Sequence, residues 1–255
     1  MKKPVIMFIP ADKNNITFAN WFVNSVRKFH SEEELPIVIC DNPNPEDKAF
    51  WYRSKPILAS QFINDYELVI GCDADMICFG KLDHIINGTY DIGTVLNINR
   101  IDPRTYGLVT IQGVQPNEYY NNGLVALRNK EMVQKWLNLC HSKYFDRFQY
   151  REQDFLNILA HFGDYNVKCF DSDASNPSWN GLVAKGETVN AVLKDGQVVI
   201  PKGADGYPDR DTVLKVFHTA GGAGEKKMNF RIHFSEEIIK YINWLIKDTK
   251  EVYES

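Results

Sequence analysis

No stretch of 18 apolar residues occurs in this 255-residue chain, so its sequence offers no membrane-spanning helix. An excess of basic charge is missing too. Lys and Arg number 29 against 33 Asp and Glu, a formal net charge of −4, which removes the electrostatic case for nucleic acid as a main partner. Cysteine is scarce and odd in number: Cys40, Cys72, Cys78, Cys140 and Cys169 are scattered, with Cys72 in an apolar strand pattern and Cys140 on an apolar helix face. That is the usage of reduced, packed cysteine in the cytoplasm, and it excludes a disulfide framework or a zinc site. Met1-Lys2-Lys3-Pro4 leads into an apolar run too brief for the core of a signal peptide. Internal repeats and linkers are likewise missing. With 44% hydrophobic residues the chain can bury one large core, and we expect a single domain over residues 1–234 carrying a helical appendage over 235–255.

What is present alternates between strand and helix patterns. Val5–Ile9 is an all-apolar run, as for a strand covered on both faces. After the loop from Pro10 to Asn15, Phe18, Trp21, Phe22, Val26 and Phe29 recur at helical spacing, with Thr17 a plausible N-cap. Strands follow at Ile37–Cys40, Tyr66–Cys72, Asp91–Leu96 and Gly123–Leu127, and helices from Ser54, from Met132 to Cys140 behind Asn129, and from Arg151 to Phe162. Asp195-Gly196 is a hairpin turn within Val189–Ile200, and Val213–Phe217 is a late strand ending at His218. The segment from Asn97 to Tyr120 has no clean period and reads as a lid or binding surface. Such repeats predict an α/β fold, a mostly parallel sheet flanked by helices, with ligands beyond the carboxyl ends of the strands.

At one of those ends stands Asp73-Ala74-Asp75. Alternation along an extended strand points both carboxylates the same way. Two adjacent like charges at a buried strand end call for a compensating positive group, and a divalent cation is the economical candidate. Ala11-Asp12 and Asp41 also fall at strand ends, so they are expected on the same rim.

Five segments, in order, resemble the nucleotide-sugar glycosyltransferases of the GT-A fold, family 8, the glycogenin and galactosyltransferase type. They are Ile9-Pro10-Ala11-Asp12; Lys55 with the strand ending Asp73-Ala74-Asp75; Tyr120-Asn121-Asn122-Gly123; Glu152-Gln153-Asp154-Phe155-Leu156-Asn157; and His218-Thr219-Ala220-Gly221 with Lys226 downstream. The resemblance covers about residues 4–227. It implies a GT-A (Rossmann-like) fold and a metal-dependent hexosyltransferase. Such an enzyme takes a UDP-sugar donor, retains anomeric configuration and acts on a glycan or other hydroxyl acceptor, the work of polysaccharide biosynthesis. By the same resemblance Pro10, Ala11, Asp12, Lys55, Asp73, Ala74, Asn122, Gly221, Gly222 and Lys226 or Lys227 meet the donor. Glu152, Gln153, Asp154 and Asn121 serve the reacting sugar. Departures are Glu152, where the family usually has Asp, and a His218–Lys226 interval about two residues longer than usual.

The chemistry fits those residue types. A departing diphosphate gathers negative charge, which a hard ion held by Asp73, Asp75 and His218 can stabilise; Mn2+ or Mg2+ suits the set, and the imidazole favours manganese. Lys226 or Lys227 adds positive charge, and Gly221, Gly222 and Gly224 let backbone approach the diphosphate. Plainer roles exist for each: His218 as a core histidine, Lys55 as a surface lysine, Asp12 and Asp41 as strand terminators, Glu152-Gln153-Asp154 as a charged first helical turn. Trp21, Trp51 and Trp136 read as core, whereas Trp179 sits in a loop and can stack on a sugar.

Competing classes fare worse. A haloacid-dehalogenase-type phosphatase wants Thr or Val where Ile77 stands. A sugar-nucleotide nucleotidyltransferase opens with a Gly-rich loop that Pro10-Ala11-Asp12-Lys13 lacks, and a non-catalytic nucleotide-sugar binding protein leaves the carboxylates unexplained. The terminal helix carries Ile238, Ile239, Ile242, Leu245 and Ile246 on one face. Its three lysines are opposed by Glu236, Glu237, Asp248 and Glu251, which favours docking on the catalytic domain over peripheral membrane contact.

Overall fold

The computed structural model describes residues 2–44, 46–47, 49–96, 111–115, 118–170, the backbone of 179–180, and residues 191–202, 211–218 and 234–247. Strands β1 (Lys3–Pro10), β2 (Ile37–Cys40), β3 (Tyr66–Cys72), β5 (Ile92–Leu96), β6 (Tyr120–Leu127) and β7 (Val167–Cys169) form one sheet in the order β2-β1-β3-β6-β5-β7. All run parallel except β6, which is antiparallel to both neighbours. It also starts three residues earlier than its apolar run suggests, because Tyr120 to Asn122 extend the pairing with β5.

The all-apolar run of β1 is covered on both faces. Val5, Met7 and Ile9 pack with Phe22 and Val26 of helix α1 (Ile16–Arg27), while Ile6 and Phe8 face α2 (Ser54–Phe62), α4 (Lys130–Cys140) and α5 (Glu152–Phe162) through Leu58, Trp136 and Phe155. Helix α1 begins after Asn15, not at Thr17; the Asp12 carboxylate accepts the Asn14 and Asn15 amides and shapes the turn that starts it. Asn129 caps α4, its side chain accepting the Met132 amide.

After β3 the chain bends through Asp73–Asp75 into the short strand β4 (Met76–Cys78), then α3 (Asp83–Ile86). β4 belongs to a second sheet with β8 (Trp179–Asn180) and β12 (Val216–His218). The hairpin β9 (Val192–Lys194) and β10 (Gln197–Ile200) turns at Asp195 and Gly196, both at positive φ, and β11 (Thr212–Val213) extends it. The single late strand expected over Val213–Phe217 is therefore two, divided between these small sheets. Beneath both lies a third apolar cluster, which α6 (Glu236–Ile246) completes. Ile238, Ile242 and Leu245 are fully buried there against Phe79, Phe217 and Phe234, and Asn24 donates to the Ile246 carbonyl at 2.8 Å. Among the described residues no helix is long and apolar enough to cross a membrane.

Ile242→Ala removes a fully buried branch from that cluster and should destabilise the protein by about 2–5 kcal/mol in urea titration. Val192→Ala on the exposed edge of the hairpin is the control, with a change within about 0.5 kcal/mol.

Candidate active site

Three pieces of chain meet where β1 and β3 end. Because β6 runs antiparallel, its first residues, not its last, arrive at this rim. Cys72 pairs with Leu124, and the Asp73 amide donates to the Gly123 carbonyl at 2.8 Å. β12 crosses β4 antiparallel with His218 opposite Met76, which sets the imidazole over the Asp73–Asp75 bend. His218 Nε2 lies 3.0 Å from Asp75 Oδ1 and 3.4 Å from Asp73 Oδ2. An added Cβ at Gly123 would stand 2.6 Å from His218 Cε1, so the absence of a side chain there is what admits the imidazole.

The two carboxylates converge through the bend rather than through strand alternation, and positive groups hold them. Lys55, in the first turn of α2, is 3% exposed and ion-paired with Asp73 Oδ1, which rules out a surface role. Burial pushes the Asp73 carboxyl up, but Lys55 and His218 together outweigh it and bring it to about 2. Burial likewise opposes charge on His218, yet Asp75 and Asp73 push its pKa up to about 9. A protonated imidazole thus sits between two carboxylates in the metal-free protein.

A cation fits the same place. One donor atom each from Asp73, Asp75 and His218 lies within 4.8 Å of the others. Opposite donors around an octahedral ion with bonds of about 2.1 Å stand about 4.2 Å apart, so small side-chain movements close the set.

Across the rim, the start of α5 supplies a polar floor. Glu152 is 8% exposed; its Oε1 accepts Asn122 Nδ2 at 2.9 Å, while Oε2 is buried with no hydrogen-bond partner. Burial raises the Glu152 carboxyl to about 7, with Lys55 pulling against it. Gln153 Oε1 accepts the Asn122 amide at 3.1 Å, and Asn121 Oδ1 accepts the Gly123 amide at 2.6 Å. Asn157 clamps both partners of this floor: it donates to the Tyr120 and Gln153 carbonyls and accepts the Tyr120 amide. In front of α5 lies a depression of about 400 Å³ bordered by Trp51, Tyr52, Tyr150, Arg151, Glu152 and Gln153.

Not every expected residue faces this space. Asp154 is fully buried, and its two oxygens accept the Tyr119 hydroxyl and the Tyr150 amide, each at 2.7 Å. It ties down the approach to β6 and α5, so its expected part at the reacting sugar is corrected to positioning. Asp12 turns its carboxylate onto its own loop, with Pro10 and Ala11 beside it at the end of β1. Ala74 packs into the apolar clusters below. Trp136 is core, but Trp51 is half-buried at the depression. Gly221, Gly222, Gly224, Lys226, Lys227, the Trp179 side chain and most of Asn97–Tyr120 lie outside the described residues. Arg151 and Tyr52 escaped the sequence reading; the run Trp51-Tyr52-Arg53 just before Lys55 was the available signal.

No family model matches the chain, and no curated protein matches it in sequence. Solved structures do. LgtC, a galactosyltransferase crystallised with donor and acceptor sugar analogues, superposes with a TM-score of 0.61 at 14% identity, over 94% of this chain and 95% of its own. WbbM, a bifunctional glycosyltransferase, gives 0.64 at 13% identity, over 100% of this chain and 52% of its own. The fold is GT-A. At such identities likeness speaks for the GT-A fold alone, and the chemistry has to be argued from the residues on its rim.

Glu152→Gln tests the floor. A raised carboxyl pKa means the folded state holds a proton that the unfolded state releases between about 4.5 and 7. The wild type therefore loses stability across that window as pH rises. In chelator, the melting temperature of Glu152→Gln minus that of wild type should grow from about pH 4.5 and level off above about 7; a flat difference would refute the raised value.

Proposed function

We propose that this protein is a metal-dependent glycosyltransferase that moves a hexose from a UDP-sugar to a hydroxyl of a glycan or similar acceptor, with retention at the anomeric carbon. The observation that carries the reading is the convergence of Asp73, Asp75 and His218, backed by Lys55, on the carboxyl rim of a GT-A fold. LgtC and WbbM are glycosyltransferases by name, and LgtC has been solved with donor and acceptor analogues; that chemistry is carried to this chain as part of the proposal.

Asp73, Asp75 and His218 would hold Mn2+ or Mg2+, which when bound supplies Lewis-acid stabilisation of a leaving diphosphate. Lys55 keeps Asp73 ionised and fixed, so that its second oxygen stays turned toward His218. Pro10, Ala11 and Asp12 border the place for the nucleoside, one strand away. Asn122 and Gln153 hold the floor rigid through their mutual bond and the bond from Asn122 to Glu152. The unpartnered Oε2 of Glu152 is the acceptor available to a sugar hydroxyl. Gln153 and Asn121 complete the polar side of the reacting sugar, and preorganised groups of this kind act most strongly away from water. Lys226 or Lys227, with Gly221 and Gly222, is assigned to the diphosphate. The odd number and scattered placement of the five cysteines support a cytoplasmic setting.

Asp75→Asn should lower manganese-dependent UDP-sugar turnover by roughly a hundredfold or more while leaving the fold intact by circular dichroism. Retained turnover with the same manganese dependence would remove this cluster from the mechanism. Binding itself has a signature. His218 is protonated at pH 7 in the metal-free protein and must give up that proton to ligate an ion. Calorimetric titration of Mn2+ in two buffers of different ionisation heat should show about one proton released per ion at pH 7, and none would exclude His218 as a ligand.

A further inference from the structure

The depression in front of α5 carries a feature that sugar transfer as such does not require. Arg151 precedes the helix with φ 50°, in the left-handed region that a residue with a Cβ rarely adopts. Its guanidinium lies 3.9 Å from the ring centre of Tyr52, flat-stacking distance, and 5.8 Å from that of Phe145. Behind the lining, Arg53 lies 4.3 Å from the centre of the buried Phe145, and its Nε is buried without a hydrogen-bond partner. Among the described residues neither guanidinium has a carboxylate within ion-pair reach. In a chain of net charge −4, Arg151 is thus an arginine held on an aromatic ring in the lining of a cleft and left without a carboxylate. Stacking occupies the face of a guanidinium and leaves its in-plane N–H donors free, the fork that matches a carboxylate or phosphate. The cleft is lined by a second group, Glu152, more than nine-tenths covered, whose Oε2 is buried without a hydrogen-bond partner.

We propose that this depression receives a sugar ring bearing an anionic group, a carboxylate or a phosphate, with Arg151 holding the anion and Glu152 Oε2 accepting a hydroxyl of the same ring. The inference rests on the reading of the rim as a sugar-transfer site and names the substrate class that site selects. The anion belongs either to the donor's hexose or to the acceptor, and both sources present the same chemistry to Arg151. The strained backbone of Arg151 fits this role, since it aims the side chain over Tyr52 at the mouth of the cleft.

Equilibrium binding to the full chain decides it. In the donor arm, UDP-glucuronate is compared with UDP-glucose in the presence of Mn2+. In the acceptor arm, methyl glucuronide is compared with methyl glucoside, and glucose 6-phosphate with glucose, each with and without UDP and Mn2+. The expected result is a preference of about tenfold or more for the anionic partner in one arm, which names the source. That ratio should fall to about one in Arg151→Gln and to an intermediate value in Arg151→Lys, which keeps the charge but loses the fork. Equal affinities in every wild-type comparison overturn the proposal, whether or not the variants fold, and so does a preference that survives Arg151→Gln. Failure to bind UDP at all would sink the glycosyltransferase reading instead, while the acceptor arm without UDP still decides whether the cleft takes an anion.

Discussion

Two carboxylates one residue apart, where a buried strand surfaces, are the constraint around which the rim of this protein is built. Unopposed, Asp73 and Asp75 would repel each other, the more so because Asp75 is buried. Positive charge therefore arrives from two directions: Lys55 from the first turn of α2 and His218 from the end of β12. Both carriers are nearly fully buried, which makes them dependent on the aspartates in turn. A lysine or protonated histidine is expensive to bury unless a carboxylate is beside it. The cluster is stable as a neutralised whole and costly in any incomplete form, and this is what suits it to exchanging a proton for a metal ion.

That exchange needs a scaffold able to hold parts from distant segments within a few ångströms. The antiparallel insertion of β6 does most of this. In an all-parallel sheet its amino end would lie at the far edge, remote from Asp73. Reversed, it places Asn121, Asn122 and Gly123 at the carboxyl ends of β1 and β3 and brings the start of α5 with them through Asn122 and Asn157. The small β4–β12 pairing then adds His218, over a glycine with no side chain to obstruct it. Asp154 and Asn157, fully buried, spend their polar groups on holding these loops and leave Glu152 and Gln153 to face the cleft.

The sequence by itself determined the alternation of strands and helices, the two-sided burial of β1, the Asn129 cap, the Asp195-Gly196 turn and the pairing of Asp73 with Asp75 at a strand end, while His218 was joined to them through the family resemblance. The structural ones are carried by local signals: an apolar run, a capping side chain, residues able to take positive φ, a charge pattern that calls for a compensating positive group. It did not determine the direction of β6, since an apolar run reads alike both ways, nor that Lys55 is buried and Asp154 spent on a tyrosine hydroxyl. Nor did it single out Arg151, whose importance arises from Tyr52, a residue almost a hundred positions earlier. Those were decided only in the tertiary structure, because a charged side chain's role is set by what surrounds it, and its surroundings come from parts of the chain whose distance in sequence says nothing of their distance in space.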